Sequence, residues 1–188
     1  MAWASSDAYM TSGKVEALRI VQEHLFNDEF DSAHLLLDSL ALADPTDPAT
    51  YLYRAGVFLG EMTDAEEDLY ANEFNRLIDT VISLSNEHPA DISNRERAWM
   101  KLWEGHARAY RSLRESRFGS FTSALKQAFE ARSCYEEGLE ADSTLYDLYG
   151  GLGMFHYWKS AKAGILRWIG LFKNEKEKGV AEIQLAAD

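Results

Sequence analysis

The chain holds one cysteine, Cys134, and three prolines, Pro45, Pro48 and Pro89, in 188 residues. A single thiol excludes an internal disulfide framework and a cysteine-based zinc site. Scarce proline leaves long windows without a helix breaker, and Val and Thr, the usual strand formers, are sparse. No run approaches the ~20 apolar residues of a membrane span, and the N-terminus has no basic-plus-apolar signal segment. Basic charge is also in deficit, with 19 Lys and Arg against 31 Asp and Glu and a net charge of −12. Phosphate binding runs on clustered Lys and Arg, so no nucleic-acid partner is expected.

What is present is apolar and helix-forming. Apolar residues make up 46% of the chain, which argues against disorder. A domain of this length buries roughly 70% of its unfolded surface. Ala, Leu, Glu and Arg dominate the long windows, so the expected fold class is all-α. Cys134 stands among Ala131, Tyr135 and Leu139 at helical spacing and reads as a packed thiol. Charge is uneven: residues 1–92 carry 18 acidic and 4 basic side chains. Residues 95–132 reverse this, with Arg95, Arg97, Lys101, Arg108, Arg111, Arg114, Arg117, Lys126 and Arg132 against 4 acidic side chains. These are either solvated helix faces or a basic patch for an acidic peptide or a neighbouring subunit's acidic half.

Residues 1–13 read as an N-terminal arm, and from Lys14 the pattern is helix, short turn, helix, repeated in units of about 14–47, 48–94, 95–145 and 146–188. In the first unit Ala17, Ile20, Val21 and His24 share one helix, and Ala33, Leu37, Leu40 and Pro45 follow on the next. The second opens at Pro48 with Leu52, Ala55, Gly56 and Leu59, then Leu77, Val81, Leu84 and Pro89. Its acidic stretch, Asp64 to Asp68, is expected to extend the second helix at its N-terminus, where carboxylates favour the dipole. The third carries the stripe Ala98, Trp99, Leu102, Trp103, His106, Ala109, Tyr110 and Leu113, a turn at Gly119-Ser120, and Ala131, Tyr135 and Gly138. The fourth has Tyr149, Leu152, Gly153 and His156, an insertion at 163–174, and Gly179, Ile183 and Ala186.

These spacings resemble the tetratricopeptide repeat family, whose 34-residue unit places a large residue, Leu, Gly and Tyr on a first helix and Ala-x3-Phe-x2-Ala on a second. The resemblance implies a right-handed α-α superhelix, a solenoid of about four helix pairs. It implies a scaffold or adaptor that holds a protein or peptide in a groove lined by the first helices. Carried over by position, the partner-binding residues are Trp99, Leu102, His106, Tyr110, Met154, Tyr157 and Trp158, with Asp147, Gly150, Ala109, Tyr53, Val57, Leu18, Gln22, Leu25 and Phe26 in the remaining slots. Leu18, Gln22 and Trp99 stand where the family's carboxylate-clamping Lys and Asn would be, so a chaperone C-terminal tail held that way is not expected. His24 and His156 take the family's Tyr slot, an internal packing position.

No catalytic, cofactor or metal site is expected. The histidines His24, His34, His88, His106 and His156 form no pair at metal-ligand spacing on one helix face. Carboxylates occur in runs such as Glu136-Glu137 rather than as a tuned acid/base pair. Gly150-Gly151-Leu152-Gly153 follows no strand, so it is read as close helix packing rather than a phosphate loop.

Two alternatives to the scaffold stay open. One is an oligomerisation module, a homodimer through the uncapped C-terminal helix, which would also fit a fragment of a longer protein because solenoids need polar terminal repeats. The other is a periplasmic or envelope-associated ligand-binding repeat domain, suggested by the small-x-small pattern of Ala2-Trp3-Ala4. Residues 165–172, flanked by Lys159, Lys162, Arg167 and Lys173, are read as a self-packing segment, with contact to an anionic membrane surface as the lesser reading.

Overall fold

The computed structural model describes residues 10–87, 91–162 and 174–187, and among these the chain is all-α, with eight helices and no strand. They are α1 (Ser12–Phe26), α2 (Phe30–Ala43), α3 (Pro48–Ala65), α4 (Ala71–Asn86), α5 (Asn94–Phe118), α6 (Phe121–Ala141), α7 (Asp147–Lys162) and α8 (Lys176–Ala187). Local chemistry sets four of the starts. Thr11 caps α1 by accepting from the Lys14 backbone N–H. Asp47 caps α3 with Pro48 in the first turn, where a missing N–H costs nothing. Ser93 and Glu96 close a reciprocal capping box on α5, and Ser120 accepts from the Ser123 N–H at α6.

Consecutive helices pack against one another, most extensively α5 with α6 and α7 with α8. The odd-numbered helices also touch in series, α1 with α3, α3 with α5 and α5 with α7. α4 shows how the pattern drives this: Phe74, Leu77, Ile78 and Val81 form one helical face and are fully buried. Each such side chain contributes about 1.5–3 kcal/mol relative to exposure. α5 is central, burying Trp99, Met100, Leu102, Trp103 and Ala107 around much of its girth, with the Trp99 and Trp103 rings stacked at 5.3 Å. Cys134 is buried on α6, and burial pushes its thiol up to about 12.

The acidic stretch differs from the sequence expectation. Asp64 and Ala65 end α3, Glu66 turns left-handed at φ 55°, and α4 starts only at Ala71, so the carboxylates do not extend α4. Carboxylates at a helix C-terminus oppose the dipole, and basic residues of α5 compensate. Arg114 forks onto Asp68 at 2.9 and 2.5 Å, and Arg117 donates to the Thr63 carbonyl at 3.0 Å.

Much of the basic block is consumed in the same way, while Arg97 and Lys126 stay exposed. Arg95 pairs with Asp142, Lys101 with Glu104 and Glu137, Arg108 with Glu104 and Glu130, Arg111 with Asp79, and Arg132 with Glu136. Burial opposes the Glu104 charge, but the Arg108 hydrogen bond and the fields of Lys101 and Arg108 outweigh it and hold the carboxyl below its usual range. His88, Pro89, residues 1–9 with Ala2-Trp3-Ala4, and the 163–173 part of the insertion lie outside the described residues.

Candidate functional site

The odd-numbered helices converge on a cavity of about 180 Å³. α1 supplies Gln22, α3 supplies Leu52 and Tyr53, and α7 supplies Asp147 from its first turn. α5 supplies Trp99, Leu102, Trp103, His106 and Tyr110, and Met10 closes one side ahead of α1. Residues 99, 102, 103, 106 and 110 recur at helical spacing, so one face of α5 forms the floor. At this size the cavity falls below the roughly 300–1,000 Å³ of sites for drug-sized ligands. It accommodates a side chain or a few waters rather than a nucleotide cofactor.

Its polar groups are few and mostly neutral. Burial pushes the His106 imidazole down to about 4, so it is uncharged at neutral pH, and its Nδ1 lies 2.9 Å from the Tyr135 hydroxyl. His106 is half-buried and lines the cavity. Tyr53 accepts a long bond from Gln22 Nε2 at 3.4 Å, and burial raises its phenol, as do the fields of Tyr110 and Asp147. Burial likewise raises the Tyr110 phenol.

Asp147 is the exception. Burial pushes its carboxyl up, while its own backbone N–H and the field of Arg95 work the other way. Among the described residues no side chain forms an ion pair or hydrogen bond with it. The cation whose field acts on it, Arg95, reaches Asp142 at 3.3 Å and lies over the Trp99 ring at 5.8 Å. The site therefore presents a desolvated acid among aromatic rings.

No protein-family model, curated protein or solved structure matches this chain.

Of the residues singled out from sequence, Trp99, Leu102, His106 and Tyr110 lie together at the cavity, joined by Gln22, Tyr53 and Asp147 from the wider groove positions. Met154, Tyr157 and Trp158 do not line it. The reason is the orientation of α7. Leu148 packs at Gly138 and Gly151 at the Tyr135 ring, while Phe155 meets Phe129, so this side of α7 faces α6. Gly150, Gly153 and Tyr157 face α8, where Lys176 lies over the Tyr157 ring at 5.1 Å. Met154 and Trp158 fall between these faces and stay about half exposed.

Sequence reasoning did not place Met10, Leu52 and Trp103 at the site. Leu52 matches a first-helix position of the second unit that is not one of the groove slots, and Met10 carries no periodic signal at all. Trp103 was detectable, because it follows Trp99 by one turn on the same face.

The described histidines are held by partners in the fold. His24 Nδ1 lies 2.6 Å from Glu29 across the α1–α2 turn, and His34 Nε2 lies 2.7 Å from Glu61 on α3. His156 is buried with Nδ1 2.6 Å from Glu182 on α8. Among the described residues no group of His, Cys, Asp and Glu could hold a metal ion, and no helix is long and apolar enough to cross a membrane.

Proposed function

We propose that this chain is a helical-repeat scaffold of the tetratricopeptide kind, a right-handed stack of four helix pairs that holds a protein or peptide partner against its first helices. The observation that carries the reading is that one cavity draws residues from α1, α3, α5 and α7 together. A repeat that exposes the same face of each first helix produces such a shared surface, and the aromatic residues on it suit an interface anchor. The reading assigns no catalytic role to any residue.

The test is a peptide selection. Phage-displayed peptides are enriched on the full chain, and the best are titrated calorimetrically against wild type and Tyr110→Leu. The reading expects a loss of at least about tenfold for Tyr110→Leu, with helicity unchanged. Equal affinity for the two proteins would remove the cavity from the binding surface.

A second reading, self-association, is favoured by Met154 and Trp158, which sit one turn apart and half exposed on α7, and by Val180 and Leu185 on α8. Sedimentation of wild type against Met154→Lys/Trp158→Lys decides it. A concentration-dependent dimer lost in the double variant supports self-association, and a wild-type monomer throughout sinks it.

A further inference from the structure

The cavity has a chemical preference, and it is opposite to the anion-holding clamp of the repeat family. Four aromatic side chains, Tyr53, Trp99, Trp103 and Tyr110, line it together with one carboxylate, Asp147. Aromatic faces carry negative quadrupole density, and a carboxylate beside them adds full charge, so both parts attract a cation. We propose that the cavity binds the cationic side chain of a lysine or arginine in the partner peptide, with Asp147 as counter-ion and the rings as walls. The proposal rests on the peptide-scaffold reading above and names what that site selects.

Five further observations support it. The other acid with an incomplete solvent shell near α5, Glu104, is met by Arg108 and Lys101 at 2.7 and 3.3 Å, whereas Asp147 has no such pair among the described residues. Burial raises the Asp147 carboxyl, so the fold carries a charge that an incoming cation would relieve. Among the described residues no other cation takes that role, since His106 is neutral and Arg95, outside the lining, is engaged by Asp142 and the Trp99 ring. The small volume fits a guanidinium or ammonium on its methylene stem. The net charge of −12 draws cationic peptides toward the chain over longer range.

The experiment uses peptide arrays whose central residue is Arg, Lys, citrulline, norleucine or Glu in otherwise randomised hexamers, probed with the full chain and with Asp147→Asn. Agmatine and tetramethylammonium serve as free-cation arms, read by quenching of the intrinsic tryptophan fluorescence. The proposal expects Arg and Lys to exceed citrulline and norleucine by about tenfold. That preference should vanish in Asp147→Asn, whose helicity matches wild type. Binding without preference for charge overturns the cation assignment and leaves the scaffold reading standing. No binding by any array overturns both. A preference that survives Asp147→Asn overturns the role of Asp147, and free cations that bind as tightly as the peptides overturn the peptide as their source.

Discussion

Gly153 and Gly179 bring α7 and α8 into backbone contact. A Cβ placed on Gly153 would lie 2.6 Å from the Gly179 carbonyl oxygen, and one placed on Gly179 would lie 2.7 Å from that of Gly153. Both obstacles are backbone atoms, which cannot swing aside as a flexible side chain can. Gly153→Ala gains helix propensity of about 1 kcal/mol, but overpacking costs about 1–3 kcal/mol. Net destabilisation is expected, larger for Gly153→Val, with the earliest loss of amide-exchange protection in α8. Gly13→Ala, where nothing lies within 4 Å, is the control and is expected to leave the urea midpoint unchanged or raised.

The Arg114–Asp68 fork joins α5 to the turn after α3, and Arg114 also lies over the Phe74 ring at 5.9 Å. Removing Asp68 leaves a mostly buried guanidinium without its main acceptor, whereas replacing Arg114 by an apolar side chain leaves a part-exposed carboxylate that water can reach. Asp68→Ala is therefore expected to cost more than Arg114→Met, by about 1–2 kcal/mol in urea denaturation. Equal costs would mean that the charge on Arg114 is solvated in the folded chain.

His106 makes stability pH-dependent. Its folded value of about 4 lies below the ordinary 6.5, so the unfolded chain binds the extra proton first. Its contribution is complete above about pH 6.5 and declines as pH falls towards 4, with a slope of up to about 1.4 kcal/mol per pH unit. His106→Gln is expected to flatten the urea midpoint across this window. The imidazole Cε1–H resonance should not titrate between pH 8 and 5.

Asp147 has the opposite sign. Its folded carboxyl is raised, so the folded chain holds that proton more tightly, and the contribution becomes a penalty as pH rises through the folded value. A carboxylate in the first turn of α7 also gains about 0.3–1 kcal/mol from the helix dipole, and burial outweighs it in the net direction. Asp147→Asn is expected to match or exceed the wild-type melting temperature at pH 7. A clear drop would show that Arg95 and the dipole satisfy the charge within the fold.

Much of the helical framework is legible from short stretches of sequence. Asp47-Pro48 and Ser93-x-x-Glu96 mark the starts of α3 and α5, and Gly119-Ser120 marks the break between α5 and α6. Gly153 and Gly179, read from spacing as small residues on paired helices, do meet. The acidic stretch departs from expectation because dipole preference alone favours a helix start, while some fifty residues away Arg114 holds Asp68 and Arg117 holds the Thr63 carbonyl at a helix end. Position along a repeat grouped Met154, Tyr157 and Trp158 with Trp99 and Tyr110, but α7 is clasped on two sides and only Asp147 reaches the cavity.

Helix propensity, capping and apolar spacing are local, so the sequence by itself determined that the chain is all-α and roughly where its helices begin. The choice of which face each helix buries depends on partners distant in sequence. Only the tertiary structure therefore set Met10 and Trp103 beside Tyr53, paired much of the basic block with carboxylates, and left the Asp147 carboxylate among aromatic rings with no ion pair among the described residues.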